Sequence, residues 1–224
     1  MRPRRARTDA ENDWLAYSFD WVAGLFMAPL TLSVVAYYRS AEGISLLDAL
    51  ATESGSTQPI EQMKQALAAG NGVSAERNLS LSYTRLFEGV SGPETVSLYE
   101  SYYSAGGGGR LFQSSAGDMA SLLQRLGASV TEGCGEPPDH LSIELAALAT
   151  LLRRRAAAEV TALCARLRAW APLFAMHCAR ADDGGFYDGA AKWLNALLVC
   201  VRQRSNPQAV RPVGGQPNAS LLVQ

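Results

Sequence analysis

Apolar residues recur along this chain at intervals of three and four, the spacing of a helix face. Trp14, Tyr17, Trp21 and Leu25 fall at such intervals, with Asp13, Asp20 and Gly24 elsewhere on the wheel. The spacing predicts a first helix from about Asn12 to Met27, broken near Pro29. A second helix is expected from near Thr31 to around Ser40, and a short third from Ile44 to Ala51. Glu53 to Pro59 is polar and small, hence a loop, with Thr57 placed to cap a helix that closes at Gly70. Leu79, Tyr83, Leu86 and Phe87 then mark an amphipathic helix stopped by Gly89.

Periodicity lapses over 90–113, which reads as a long irregular stretch holding Tyr99, Tyr102, Tyr103 and the run Gly106 to Gly109. Ser115 is the expected cap of a helix bearing Met119, Leu122, Leu123 and Leu126 and stopped by Gly127. A second loop, Ala128 to Pro138, leads to a helix from Asp139 to Arg155. Another helical stretch carries Val160, Leu163 and Leu167, and Pro172 is expected to begin a new turn or kink one. Asp182 to Gly185 reads as a turn before a last helix from Phe186 to about Arg204. Strand signals are almost absent. The chain is therefore expected to be all-α, a single bundle of about nine helices over 11–204, with flexible tails at 1–10 and 205–224.

Composition narrows the function. Of 224 residues, 48% are apolar, and the net charge of −1 favours neither nucleic acid nor an anionic membrane. The cysteines Cys134, Cys164, Cys178 and Cys200 form no Cys-x-x-Cys pair, and the histidines are His140 and His177 alone, so no zinc site is visible. Arg2, Arg4, Arg5 and Arg7 precede an apolar run, but Asp9, Glu11 and Asp13 intervene and no small-residue cleavage site follows. The run from Trp14 to Tyr38 contains Asp20 and Pro29, which reads as two helices of a soluble protein rather than a membrane span.

The sharpest segment is Glu136-Pro137-Pro138-Asp139-His140-Leu141-Ser142-Ile143-Glu144. The prolines stiffen the entry and disfavour helix before them. Asp139 is expected as N-cap or in the first turn, where the dipole favours a carboxylate, with His140 exposed beside it. As an acid–base dyad the pair is poor, since adjacent residues on a helix point about 100° apart. Neither a Gly-x-Ser-x-Gly elbow nor a Walker-type loop is present, and Gly106–Gly109 lacks the Lys-Ser/Thr of a nucleotide loop.

Glu-Pro-x-Asp-His followed by Leu resembles the signature of the TorD family of redox-enzyme maturation chaperones, which includes DmsD-like members. Tyr83-Thr84-Arg85-Leu86-Phe87 is similar to the family segment ending in Leu-Phe before its ligand-facing loop. Ser97-Leu98-Tyr99-Glu100-Ser101-Tyr102-Tyr103 resembles its aromatic-x-Ser-x-aromatic run. Trp170-Ala171-Pro172-Leu173-Phe174 resembles its Trp-x-Pro-x-Phe, and Gly185-Phe186-Tyr187 opens the last helix as in TorD proteins. Two features depart from the pattern: Pro138 stiffens the variable position, and Gly106–Gly109 looks like an insertion.

The resemblance implies a cytoplasmic chaperone without catalytic turnover. It would bind the twin-arginine signal peptide and apo form of a molybdenum-cofactor oxidoreductase of the dimethyl sulfoxide or trimethylamine N-oxide reductase type, and hold back export until folding is complete. No cofactor is expected to be held permanently, only transient contact with the client's molybdenum cofactor. A monomer or a dimer domain-swapped through a hinge near 128–138 is implied, with no nucleic acid and no membrane insertion. Two guanidinium groups beside an apolar segment call for carboxylates beside a groove, because carboxylate–guanidinium pairing is bidentate. Asp139 is expected as the main acceptor, Glu136 as its assistant and Pro137 as part of the site's entry. His140 is expected to orient Asp139 or bond peptide backbone, Ser101 to supply a hydrogen bond, and Leu86, Phe87, Tyr99 and Tyr103 to line the apolar part. A generic helical adaptor is the alternative reading.

Overall fold

The computed structural model describes residues 2–89, 95–104, 114–128 and 135–205. Ten helices follow in order: α1 (Arg2–Met27), α2 (Leu32–Tyr38), α3 (Ala41–Ser54), α4 (Thr57–Ala68), α5 (Gly72–Phe87), α6 (Glu100–Tyr103), α7 (Ser114–Arg125), α8 (Leu141–Arg153), α9 (Ala157–Ala181) and α10 (Phe186–Ser205). The fold is all-α, as the periodicity predicts. α1 packs along α8, and α10 packs on both α9 and α4, so the longest helices make the centre. Trp170, Trp193, Tyr187, Phe19, Phe26 and Phe174 are buried there. Among the described residues no helix is long and apolar enough to cross a membrane.

Several boundaries differ from the pattern. α1 is helical from Arg2 rather than from Asn12, and Asp9, placed in the expected tail, accepts from Arg155 Nε at 2.6 Å. The expected loop at Glu53–Pro59 is shorter, because α3 runs to Ser54 and α4 begins at Thr57 with Pro59 already inside. Proline fits a first turn, where its missing N–H is an orphan in any case. Thr57 is therefore not the cap, and Ser56 at the cap position makes no side-chain capping bond. Ser115 is likewise buried inside α7 rather than capping it. Pro172 neither ends nor restarts a helix: α9 runs through it, and its exposed position lets water take the carbonyl left without a donor. The Gly106–Gly109 run, Cys134, most of the hinge at 128–138 and residues 206–224 of the expected C-terminal tail lie outside the described residues.

Caps fix the ends that the pattern leaves vague. Ser40 Oγ accepts from Gly43 N–H at 3.2 Å at the start of α3, and Asn71 Oδ1 accepts from Ser74 N–H at 2.9 Å at the start of α5. Asp182 Oδ2 takes the N–H groups of Tyr187 and Asp188 at 3.0 and 3.2 Å, which turns the predicted Asp182–Gly185 turn into a cap for α10. Where α2 meets α3 the backbones touch. A Cβ on Gly43 would lie 2.6 Å from Tyr38 Cα and closer still to the Tyr37 carbonyl oxygen. Gly24, in the middle of α1, has open space around it.

These two glycines make opposite predictions. Gly43→Ala destabilises the fold by about 3 kcal/mol, because backbone rather than a flexible side chain must move. Gly24→Ala stabilises it by about 0.5–1 kcal/mol through lower chain entropy in a helix interior. Urea unfolding followed by circular dichroism measures both.

Candidate functional site

The first N–H groups of a helix find no partners inside it. At α8 they are met by a crossing segment, residues 95–104, that contains α6. Leu141 N–H donates to the Leu98 carbonyl at 2.8 Å, and Glu100 N–H donates to the Asp139 carbonyl at 3.1 Å. These bonds make Tyr99 and His140 an isolated antiparallel pair. Val96 N–H ties the same segment to the Leu86 carbonyl of α5 at 2.7 Å. Three elements far apart in sequence thus meet at one point.

His140 is the N-cap of α8: its Nδ1 accepts from Ser142 N–H at 3.2 Å. Asp139 sits one residue before it and reaches outward, its Oδ2 accepting from Ser101 N–H at 3.1 Å. Asp139 is 1% exposed and His140 2%. Both expectations made for this pair, a carboxylate capping α8 and a surface histidine, are therefore corrected. The crossing segment covers the start of α8, and no local pattern announces that cover. Burial lowers the His140 imidazole below its ordinary range, partly offset by Glu136 and Asp139, and a neutral ring is what an Nδ1 acceptor requires.

Glu136 is only half-buried. Its Oε2 accepts from the Tyr99 hydroxyl at 2.6 Å. The Tyr99 ring meets His140 edge-on at 5.3 Å. Burial first, then Glu136, raises the Tyr99 phenol above its ordinary value. Pro137 is half-buried beside them, and its carbonyl accepts from His140 N–H at 3.0 Å. The structure thus brings together Tyr99, Ser101, Glu136, Pro137, Asp139 and His140.

The remaining candidates lie on the same elements but pack toward the core. Leu86 is fully buried and belongs to the core rather than to a groove lining. Phe87 is half-buried and packs on Phe26, Tyr83, Phe174 and Tyr187. Tyr103, also half-buried, donates from its hydroxyl to the Ser97 carbonyl at 2.9 Å and stacks on Trp170 at 5.3 Å.

Sequence reasoning missed a second cluster under α6. Arg166 of α9 donates from Nε to Glu100 Oε2 at 2.8 Å and from Nη2 to the Ser115 carbonyl at 2.6 Å. Glu144 Oε1 lies 3.7 Å from the same guanidinium, and Glu144 Oε2 accepts from Trp170 Nε1 at 3.3 Å. Glu144 is fully buried. Burial, and after it the Glu100 carboxylate, raises its carboxyl well above the ordinary range against the opposing pull of Arg166. A carboxylate inside the apolar run from Leu141 to Leu148 was the available signal, but its partners stand at distant positions. Among the described residues no group of three or more His, Cys, Asp or Glu side chains is placed to hold a metal.

Two outcomes follow from this geometry. Asp139→Ala strands the buried Ser101 N–H and lowers stability by about 1–3 kcal/mol in urea unfolding, whereas Asp139→Asn keeps an acceptor and loses less. The native state holds the Glu144 proton more tightly than the unfolded chain does, so this group stabilises the fold most in acid and loses that contribution as pH rises through its raised folded value. Glu144→Gln flattens that fall, and thermal unfolding from pH 4 to pH 9 compares the two slopes.

The family model described as nitrate reductase delta subunit matches residues 50–178, a span that runs through α5, the crossing segment and α8 into α9. The chaperone protein TorD of Aeromonas salmonicida is 31% identical over 203 residues, covering 85% of this chain and 90% of that protein. The TorD of Vibrio cholerae serotype O1 is 29% identical over 200 residues, covering 84% and 90%. These relatives are named as chaperones, not as enzymes. The chain belongs to the nitrate reductase delta subunit family, among its TorD-like chaperones.

Proposed function

We propose that this protein is a maturation chaperone for a molybdenum-cofactor oxidoreductase, and that it recognises the client's twin-arginine signal peptide at the junction of α5, the crossing segment and α8. The observation that carries the reading is the half-buried Glu136 carboxylate held beside Tyr99. A carboxylate next to an aromatic face suits a guanidinium, which pairs with the one and stacks on the other. Glu136 replaces Asp139 as the first acceptor, because Asp139 is buried under the crossing segment while Glu136 stays half-exposed. Asp139, His140 and Ser101 act as positioning residues that hold Glu136 and Tyr99 in register. Phe87 and Tyr103 flank the apolar part of the peptide.

The same reading places the protein in the cytoplasm, where it binds the precursor and its apo form, assists cofactor insertion and delays export until the client is folded. It holds no cofactor of its own and meets the client's molybdenum cofactor only in passing. An adaptor for any amphipathic helix would make no use of the Glu136–Tyr99 pair, so arginine dependence separates the two readings.

Calorimetry with the twin-arginine signal peptides of the host tests the proposal. One such peptide binds the wild type, and replacing its Arg-Arg with Lys-Lys weakens binding by about tenfold or more, the worth of one bidentate charge-assisted pair. Glu136→Gln costs a similar factor. Absence of binding to every such peptide overturns the reading, and equal affinity for the Lys-Lys peptide returns it to a generic adaptor.

A further inference from the structure

The residues that gather at the start of α8 are closed off. Asp139 and His140 are almost fully buried, and what covers them is a short segment with one turn of helix that carries Ser101. Its backbone bonds are few: Val96 to Leu86, Leu141 to Leu98, and Glu100 to Asp139. α6 packs only on α9 and α7 to any extent. The side chain that binds it to both is Arg166, which spans Glu100 of α6, Ser115 of α7 and Glu144 of α8 from its own place on α9.

The closed arrangement is imperfectly satisfied. Five buried side-chain oxygens lack a hydrogen-bond partner among the described residues, and three of them, Ser101 Oγ, Ser142 Oγ and Glu144 Oε1, belong to residues of this junction. Ser101 lies on the segment itself, and Ser142 and Glu144 lie on the helix it crosses. Arg166 also faces an open groove of about 350 Å³ between α7 and α9, lined by Asp118, Ser121, Arg125 and Glu159 among others, so it is reachable from outside.

We propose that residues 95–104 form a latched segment across the start of α8, and that Arg166, through Glu100, is the latch that keeps Tyr99 beside Glu136 and so completes the site. The proposal rests on the signal-peptide reading for what enters, but not for the latch itself. Arg166 is a positioning residue here. Holding Glu100 keeps the segment down, and the fraction of molecules with the segment in place scales the apparent affinity for a peptide read by Glu136 and Tyr99.

Hydrogen exchange on the full chain decides the matter, with circular dichroism confirming retained helix. Arg166→Gln raises exchange of the amides of 95–104 by about tenfold while α1 and α10 are unchanged, and Arg166→Lys restores part of the protection. Arg125→Gln, in the same groove, changes nothing. Apparent affinity for a host twin-arginine signal peptide falls as the exchange rate rises in the Arg166 variants, because the raised segment carries Tyr99 away from Glu136. Unchanged protection of 95–104 in Arg166→Gln overturns the latch, and raised exchange with unaltered peptide affinity overturns its control of the site. If Arg166→Gln does not fold, Glu100→Ala removes the same arm and is read identically. If no host peptide binds the wild type, the signal-peptide reading falls, while the exchange result still decides whether Arg166 holds the cover.

Discussion

The N-terminal amides of α8 are buried and must be satisfied, and much of the structure around the site follows from how that is done. One goes to the Leu98 carbonyl and one to the His140 imidazole. The first choice forces an extended piece of chain to lie across the helix start. That crossing places Tyr99 against His140 and Glu136, and it carries Ser101 to Asp139. A helix capped only by a local serine would demand none of this. The Asp-His pair is thus first a solution to a backbone problem, and its carboxylate and ring are spent on that solution.

Below this junction lies a second arrangement of opposite character. Arg166 gathers carboxylates from two other helices, partly exposed itself but reaching inward to the fully buried Glu144, whose pairing it supplies. Burial raises the Glu144 carboxyl well above its ordinary range, because it penalises the anion. The apolar walls do the rest: Trp170 gives its indole N–H to Glu144 and its face to Tyr103, so a single residue of α9 joins the polar and aromatic layers. The site is therefore supported from α9 although few of its own residues lie there. The far side of α10 shows the same economy, with Asp188 buried between Gln62 and Lys192.

The helices themselves were legible because burial imposes a period on the chain. Leu79, Tyr83 and Leu86 are buried, and so are Leu141, Leu145, Leu148 and Leu152, as their spacing required. The stops at Gly89 and Gly127 also stand, both in the left-handed region that glycine tolerates. Caps were read less well. Thr57 and Ser115 have the right chemistry and the wrong neighbours, since the helix start is fixed by which turn packs, not by which residue is able to cap. Pro172 carries a strong local signal for a break, and the packing of α9 along α10 and α8 outweighs it.

By itself the sequence determined that the chain is a helical bundle, where most of its helices lie, and, through Glu136–His140, Trp170–Phe174 and Gly185–Tyr187, which family it resembles. Those properties are local or periodic, and a string of residues displays them. Only the tertiary structure decided that Asp139 and His140 are hidden, that Glu136 is the carboxylate left near the surface, and that Arg166, Glu100 and Glu144 form one unit. Each depends on contacts between residues tens of positions apart, whose meeting is set by how the helices pack and by the need to pair every buried backbone group, neither of which leaves a period in the chain.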